Sequence, residues 1–330
     1  MNFKIKSNSL ALDNKNLKCR ICNYKGPGIV LKTKEMMFGF RGVFYYSRCN
    51  KCGSASIRNI PKNMAYYYPR DYGSKHINPW YKNSIIMGLF KIYLSVNPNN
   101  YVRKAIDKRM GVPNVFQVFY NMLKESKYKS FRASTILDIG SGTGQWLIYA
   151  GILGFKKRLG VDMFVEHTIR YNKDFKILKG DLTVVKGKFD FILSNHSIEH
   201  IANPRTTFRG VRKLIKENGI FVVRTPLIDS YAFEKYGPNW VDLDPPRHLV
   251  LFTRKAMCDL AEKSGFEVTK IIYDSNAFQF SGSELYKHNL ILNKNNYSFS
   301  HEEISAWDKL SIKLNSEKKG DQACFILRPN

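Results

Sequence analysis

Residues 135–144 read Thr-Ile-Leu-Asp-Ile-Gly-Ser-Gly-Thr-Gly, and this stretch carries the most specific chemistry in the chain. Ile136, Leu137 and Ile139 make a short apolar strand. It enters a turn with glycine at 140, 142 and 144, and a helical stretch starts at Gln145. Strand, tight glycine turn and helix bring backbone N–H groups up to a nucleotide-like ligand. The spacing argues against a dinucleotide loop, because G-x-G-x-x-G starting at Gly140 and Gly142 needs its third glycine at 145, where Gln145 stands. Asp138 would repel a pyrophosphate and suits a cationic ligand. A second group is two cysteine pairs, Cys19/Cys22 and Cys49/Cys52, separated by 26 residues. Each C-x2-C knuckle turns two thiolates toward one point, and two knuckles complete a tetrahedral S4 shell for zinc. A third group is histidine. His200 and His248 are of the type that removes a hydroxyl proton near neutral pH.

The elements that must position these groups can be read from the pattern. The cysteine pairs with strands near 29–31 and 42–46 describe a zinc ribbon within 1–75. Residues 76–130 are basic and helical in pattern, with an apolar, aromatic-led helix at 80–94 and another near 115–127. The first of these fits a buried helix or a membrane-interface helix. From 131 to 330 strands alternate with helices, which predicts a Rossmann-like α/β domain with a parallel sheet. Seven strands are expected, near 135–139, 158–161, 176–179, 189–193, 220–223, 266–272 and 323–327. Ligands of such sheets lie beyond the C-terminal strand ends. Asp162, Asp181, Leu182, Ser194 and Asn195 fall there. Asp162 is placed to accept hydrogen bonds from ribose hydroxyls, and Asp181 from an adenine amino group with Leu182 against the ring.

The chain has 53 Lys and Arg against 27 Asp and Glu, a net charge of +26 over 330 residues. Residues 1–130 hold 24 basic and 5 acidic side chains, and 131–330 hold 29 and 22. The N-terminal part thus projects most of a field that attracts nucleic acid, anionic lipid or phosphorylated substrates. No apolar run approaches the ~20 residues that span a bilayer. Met-Asn-Phe-Lys-Ile-Lys has no signal-peptide core, so a cytoplasmic protein is expected, with attachment to the inner membrane face as an added option.

Asp138-x-Gly140-Ser141-Gly142-x-Gly144 resembles the first motif of class I methyltransferases that use S-adenosylmethionine (SAM). Ser194-Asn195-His196-Ser197-Ile198-Glu199-His200-Ile201-Ala202-Asn203-Pro204 resembles their post-strand-four motif, H-x-L-E-H-x-x-D-P, with Ile198 and Asn203 as departures. The cysteine pairs, Tyr67-Tyr68-Pro69-Arg70-Asp71-Tyr72 and Asn239 to Thr253 are similar to a bacterial subgroup with an N-terminal zinc ribbon, associated with polysaccharide and sugar modification. The resemblance implies SAM at Asp138, Gly140, Ser141, Gly142, Gly144, Asp162, Asp181, Leu182, Ser194 and Asn195, and structural zinc at Cys19, Cys22, Cys49 and Cys52. It implies O-methylation of a sugar on a nucleotide- or lipid-linked precursor, with His248 or His200 as base. Tyr231 and Trp240 would stack on the sugar and Arg247 would pair with a phosphate. Glu199-His200 also has the form of a divalent-metal pair. RNA methylation through the basic half, and a non-enzymatic adaptor with a vestigial SAM fold, are the alternatives.

Overall fold

The computed structural model describes residues 10–69, 131, 133–292 and 297–330. The expected helices at 80–94 and 115–127 lie outside them. By density of contacts the chain forms two compact units, neither contiguous in sequence. One contains the described residues up to Pro69, His196–Arg209 and Val223–Phe325. The other contains those between Arg70 and Asn195, Gly210–Val222 and Ile326–Asn330.

The first unit opens with a meander of β1 (Leu10–Lys18), β2 (Lys25–Lys34), β3 (Val43–Cys49) and β4 (Ala55–Ile57). All three pairings are antiparallel, and Gly28 faces Cys49 in the register of β2 on β3. That register brings the β1–β2 turn, with Cys19 and Cys22, beside the β3–β4 turn, with Cys49 and Cys52.

The chain then builds the second unit from β5 (Thr135–Ile139), α1 (Gln145–Ile152), β6 (Lys157–Asp162), β7 (Ile169–Asn172), β8 (Phe175–Lys179) and β9 (Phe189–Asn195). Next come α2 (Pro204–Leu214) and β10 (Ile215–Pro226). β5 pairs in parallel with β6 and β9, and β6 in parallel with β8. β5 and β9 are buried along almost their whole length, on both faces, as parallel strands under helices are. β7 returns antiparallel on β8. This strand adds one to the seven expected. Its four residues are mostly exposed and do not alternate, and Tyr171 is held by stacking on Phe175 at 4.3 Å.

The rest of the first unit holds α3 (Tyr231–Tyr236), β11 (Val250–Leu251), α4 (Arg254–Glu262), β12 (Phe266–Tyr273), α5 (Phe278–Lys287) and α6 (His301–Ser316). The last strand, β13 (Gln322–Pro329), runs on into the second unit. The sheet order is β12-β13-β10-β9-β5-β6-β8-β7, a mostly parallel Rossmann-like arrangement. Serine and threonine set the helix starts. Thr253 accepts from Ala256 N–H at α4, and Ser300 and Glu303 form a capping box at α6. β11 pairs with β4 and becomes the fifth strand of the cysteine-bearing sheet. Leu31, Tyr46 and Ile57 of that sheet share one core with Trp240, Phe280 and Leu314. The long insertion at 275–320 therefore supplies α5 and α6 to cover the meander. No helix among the described residues is long and apolar enough to cross a membrane.

Candidate functional site

In the second unit the parallel strands end together. Gly140, Gly142 and Gly144 all have positive φ (70°, 53° and 90°), a conformation that a side chain at Gly142 or Gly144 would strain. A Cβ on Gly144 would also lie 2.8 Å from Ile177 Cδ1. The turn sits on β6: Gly140 N–H donates to Val161 O at 2.8 Å, and Gly142 N–H donates to Asp162 Oδ2 at 2.8 Å. The other carboxylate oxygen of Asp162 accepts from Phe164 N–H at 2.7 Å. Ser141 is buried beside Gly160, where any Cβ would strike its hydroxyl. Asp181 caps the turn after β8, accepting from the Thr183 N–H at 2.9 Å and from its hydroxyl, and these bonds hold its carboxyl below the usual range. Leu182 lies against Gly210. Ser194 is buried and Asn195 half-buried at the end of β9. Asp138, Asp162, Asp181, Ser194 and Asn195 thus stand at or near the C-terminal ends of β5, β6, β8 and β9.

Asp138 is 2% exposed, and burial, with the charge of Asp162 adding, raises its carboxyl well above the usual value. A value raised by folding gives stability at low pH that is lost as pH rises through it. Asp138→Asn is therefore expected to melt higher than wild type near neutral pH, by about 1–2 kcal/mol of stability, with the gap closing on acidification. Thermal melts from pH 4 to 8 check this. A gap that widens toward low pH would contradict it.

In the first unit a second set of groups converges. His196 follows β9 in the left-handed region, with φ 45°. An Arg224 N–H donates to its Nε2, which places the ring proton on Nδ1, 3.3 Å from Glu199 Oε1. Arg224 is itself paired with Asp274 at 2.6 Å. Glu199 is fully buried, and its Oε2 accepts from the Thr225 hydroxyl at 3.0 Å. Burial opposes its ionisation, but His196, His248 and His200 outweigh that and hold it at about 2. His200 Nδ1–H donates to Arg247 O at 2.9 Å, with the Tyr68 hydroxyl 3.2 Å from the same nitrogen. His248 Nδ1–H donates to Asp242 O at 2.6 Å. A carbonyl only accepts, so Nδ1 of each ring carries a proton, and in the neutral form of either ring the lone pair is on Nε2. Burial, then His248, lowers the value of His200. The rings meet edge to face, with centroids 4.8 Å apart. The sequence singled out both histidines, and Glu199 with His200 as a metal pair, but not the parts played by His196 and Tyr68. The i, i+3, i+4 spacing of His196, Glu199 and His200 was the available signal.

The four cysteines form a compact set. Cys19 Sγ lies 3.7 Å from Cys52 Sγ, and Cys22 Sγ 3.7 Å from Cys49 Sγ. Tetrahedral bonds of about 2.3 Å put sulfurs about 3.8 Å apart, so the donor set fits zinc. All four are free thiols. A left-handed residue, Asn23 or Gly53, follows each knuckle.

Two expectations about the acceptor are corrected. Trp240 is fully buried and its Nε1–H donates to Asp321 Oδ2 at 3.0 Å, so no face is available to a sugar. Arg247 is also fully buried, between Asp244 (Nε to both oxygens, 3.0 Å) and Glu35 (2.7 Å), so its charge is spent inside the fold. Tyr231 is half-buried in α3, 6.3 Å from the Phe280 ring.

A mostly parallel Rossmann-like sheet with a glycine turn and acids at its strand ends defines a nucleotide-type cofactor fold. Residues 117–271 match the family model of a methyltransferase domain. It is 27% identical over 135 residues to a ubiquinone biosynthesis O-methyltransferase of Pelagibacter ubique (strain HTCC1062), covering 37% of this chain and 56% of that protein. The chain thus spans about half the length of the curated relative it matches. Similar solved structures include a SAM-dependent methyltransferase from Archaeoglobus fulgidus (19% identity, 69% of this chain and 99% of that one, TM-score 0.39). Another is magnesium protoporphyrin IX methyltransferase from Synechocystis PCC 6803 (15% identity, 59% and 91%, TM-score 0.39).

Proposed function

We propose that this chain transfers the methyl group of SAM to a hydroxyl, on a sugar carried by a nucleotide or lipid diphosphate. The observation that carries the cofactor is the Gly142–Asp162 lock, which sets a carboxylate and an open glycine turn side by side at the ends of β5 and β6. Bound SAM supplies an electrophilic methyl on a sulfonium. Asp162 would accept from the ribose hydroxyls, Asp181 from the adenine amino group, and Asp138 would face positive charge. In-line displacement needs mainly alignment, and a hydroxyl acceptor must also lose its proton. The group that includes His200 and His248 is built for that, with Nε2 lone pairs fixed by the carbonyl bonds of both rings. The O-methyltransferase relative supports an oxygen acceptor.

An anionic carrier has support in the first unit. A groove of about 430 Å³ is lined by Lys18, Arg20, Arg48, Arg58 and Arg205, with no carboxylate in its lining. The adjoining cysteine knuckles would hold zinc as a closed S4 site, which folds the turns and leaves no position for chemistry. A lipid-linked carrier would bring the protein to the inner membrane face.

Feeding methyl-labelled SAM to the full chain, with lipid-linked and nucleotide-sugar extracts and total RNA of the host, tests the acceptor. Label is expected in a glycan-bearing fraction and absent from RNA. Label in RNA would transfer the basic groove to an RNA methyltransferase. No label in any fraction would overturn methyl transfer to these acceptors.

A further inference from the structure

We propose that Glu199, His200 and His248 form a binding site for one divalent transition-metal ion, separate from the cysteine site. One donor atom from each lies within 4.8 Å of the others, and His248 Nε2 is 4.0 Å from Glu199 Oε1. Donors on a common ion with bonds of about 2.1 Å stand roughly 3.0–3.5 Å apart, so side-chain adjustments of up to about 1–2 Å close the shell.

Three independent features point to an ion rather than a hydrogen-bonded brace. Glu199 Oε1 is completely buried and has His196 Nδ1 at 3.3 Å without a hydrogen bond of good geometry, although Oε2 of the same carboxylate makes one. A buried carboxylate oxygen left in that state is costly, and a cation would satisfy it. Both imidazoles are anchored through Nδ1–H to backbone carbonyls, of Arg247 and Asp242, which is the outer-shell bond that orients metal-bound histidine and leaves the ring lone pair on Nε2. Finally, the groups bordering the set are suited to second-shell work. His196 and Thr225 touch Glu199, Tyr68 touches His200, and Asp244 Oδ2 lies 3.9 Å from His248 Nε2.

Two imidazoles and one carboxylate suit Mn²⁺, Fe²⁺ or Zn²⁺, and three protein ligands leave positions open. That an acceptor hydroxyl fills one of them rests on the methyl-transfer reading. Metal binding does not, and it is measured without SAM or acceptor. With the histidine lone pairs on the ion, such a hydroxyl would lose its proton to solvent through polarisation by the metal instead of to a histidine.

The test uses the full chain with its ribbon zinc in place, titrated with Mn²⁺ while free Mn²⁺ is read by electron paramagnetic resonance. Mn²⁺ avoids thiolate shells, so the cysteine site stays silent. One Mn²⁺ per chain is expected. Glu199→Gln, which keeps size and the Thr225 bond, and His248→Gln should each weaken it at least tenfold while zinc content stays at one per chain. Failure of Mn²⁺, Co²⁺ or additional Zn²⁺ to bind the wild-type chain would overturn the site. So would Glu199→Gln binding Mn²⁺ as wild type does.

Discussion

Asp162→Ala is expected to remove detectable SAM binding in a calorimetric titration. The argument starts from two roles held by one carboxylate. Asp162 fastens the glycine turn through Gly142 N–H and its own following turn through Phe164 N–H, at 2.8 and 2.7 Å. Each oxygen keeps a second lone-pair direction, which a ribose diol can use. Hydrogen bonds to a charged acceptor are worth about 1.5–3 kcal/mol each, so losing two costs roughly 3–6 kcal/mol, or about 10²–10⁴ in affinity. The released turn adds to this, because its left-handed glycines no longer have the bond that selects that conformation. Asp162→Asn separates the parts. It keeps one acceptor oxygen and loses the charge, so its affinity should fall between those of wild type and Asp162→Ala. Circular dichroism and melting should show both variants folded. Wild-type affinity in Asp162→Ala would remove the cofactor assignment, whatever happens at the acceptor.

What could be read from the sequence was whatever is local in the chain. The turn at 140–144 and its acids belong to strand-turn-helix and strand-end patterns a few residues long, so type and spacing reveal them. The cysteine knuckles are equally local. β7 was not legible because four exposed residues on an edge carry no alternation. β11 was not legible because two residues have no period, and its partner Ser56 is almost 200 positions away. The same cause misled the reading of Trp240 and Arg247. Aromatic and guanidinium groups in a loop after strand five look like ligand contacts until their partners, Asp321 and Glu35, are known. Both partners lie far away in sequence and neither belongs to a motif. His200 and His248 were visible as types, whereas the Nδ1 anchors that fix their tautomers come from backbone carbonyls, which no sequence displays.

Arg247→Met should destabilise the first unit by about 3–5 kcal/mol, the range for breaking a buried ion pair from one side. The guanidinium is fully buried, donates to Asp244, Glu35 and the Tyr67 carbonyl, and lies over the Phe38 ring at 5.1 Å. Methionine replaces the volume but leaves Asp244 and Glu35 in the interior without their cation. Glu35 would keep only the Phe38 and Phe40 N–H groups, at 2.9 and 2.8 Å. The pH dependence distinguishes this from a packing defect. In wild type, burial works against ionised Asp244, but Arg247 and His248 prevail and its value is lowered. A lowered value gives stability above the unfolded carboxylate range that is lost as pH falls through the folded value. Without Arg247 only the histidines oppose burial at Asp244, and the value moves up. Stability is then present at low pH and lost as pH rises through the new folded value. The deficit of Arg247→Met relative to wild type should therefore be largest near neutral pH and shrink on acidification. Adding Glu35→Gln and Asp244→Asn should recover much of it at neutral pH, since the uncompensated charges are gone. Denaturant unfolding at several pH values reads both effects. A deficit independent of pH and unrelieved in the triple variant would mean that Arg247 acts through shape and not through charge.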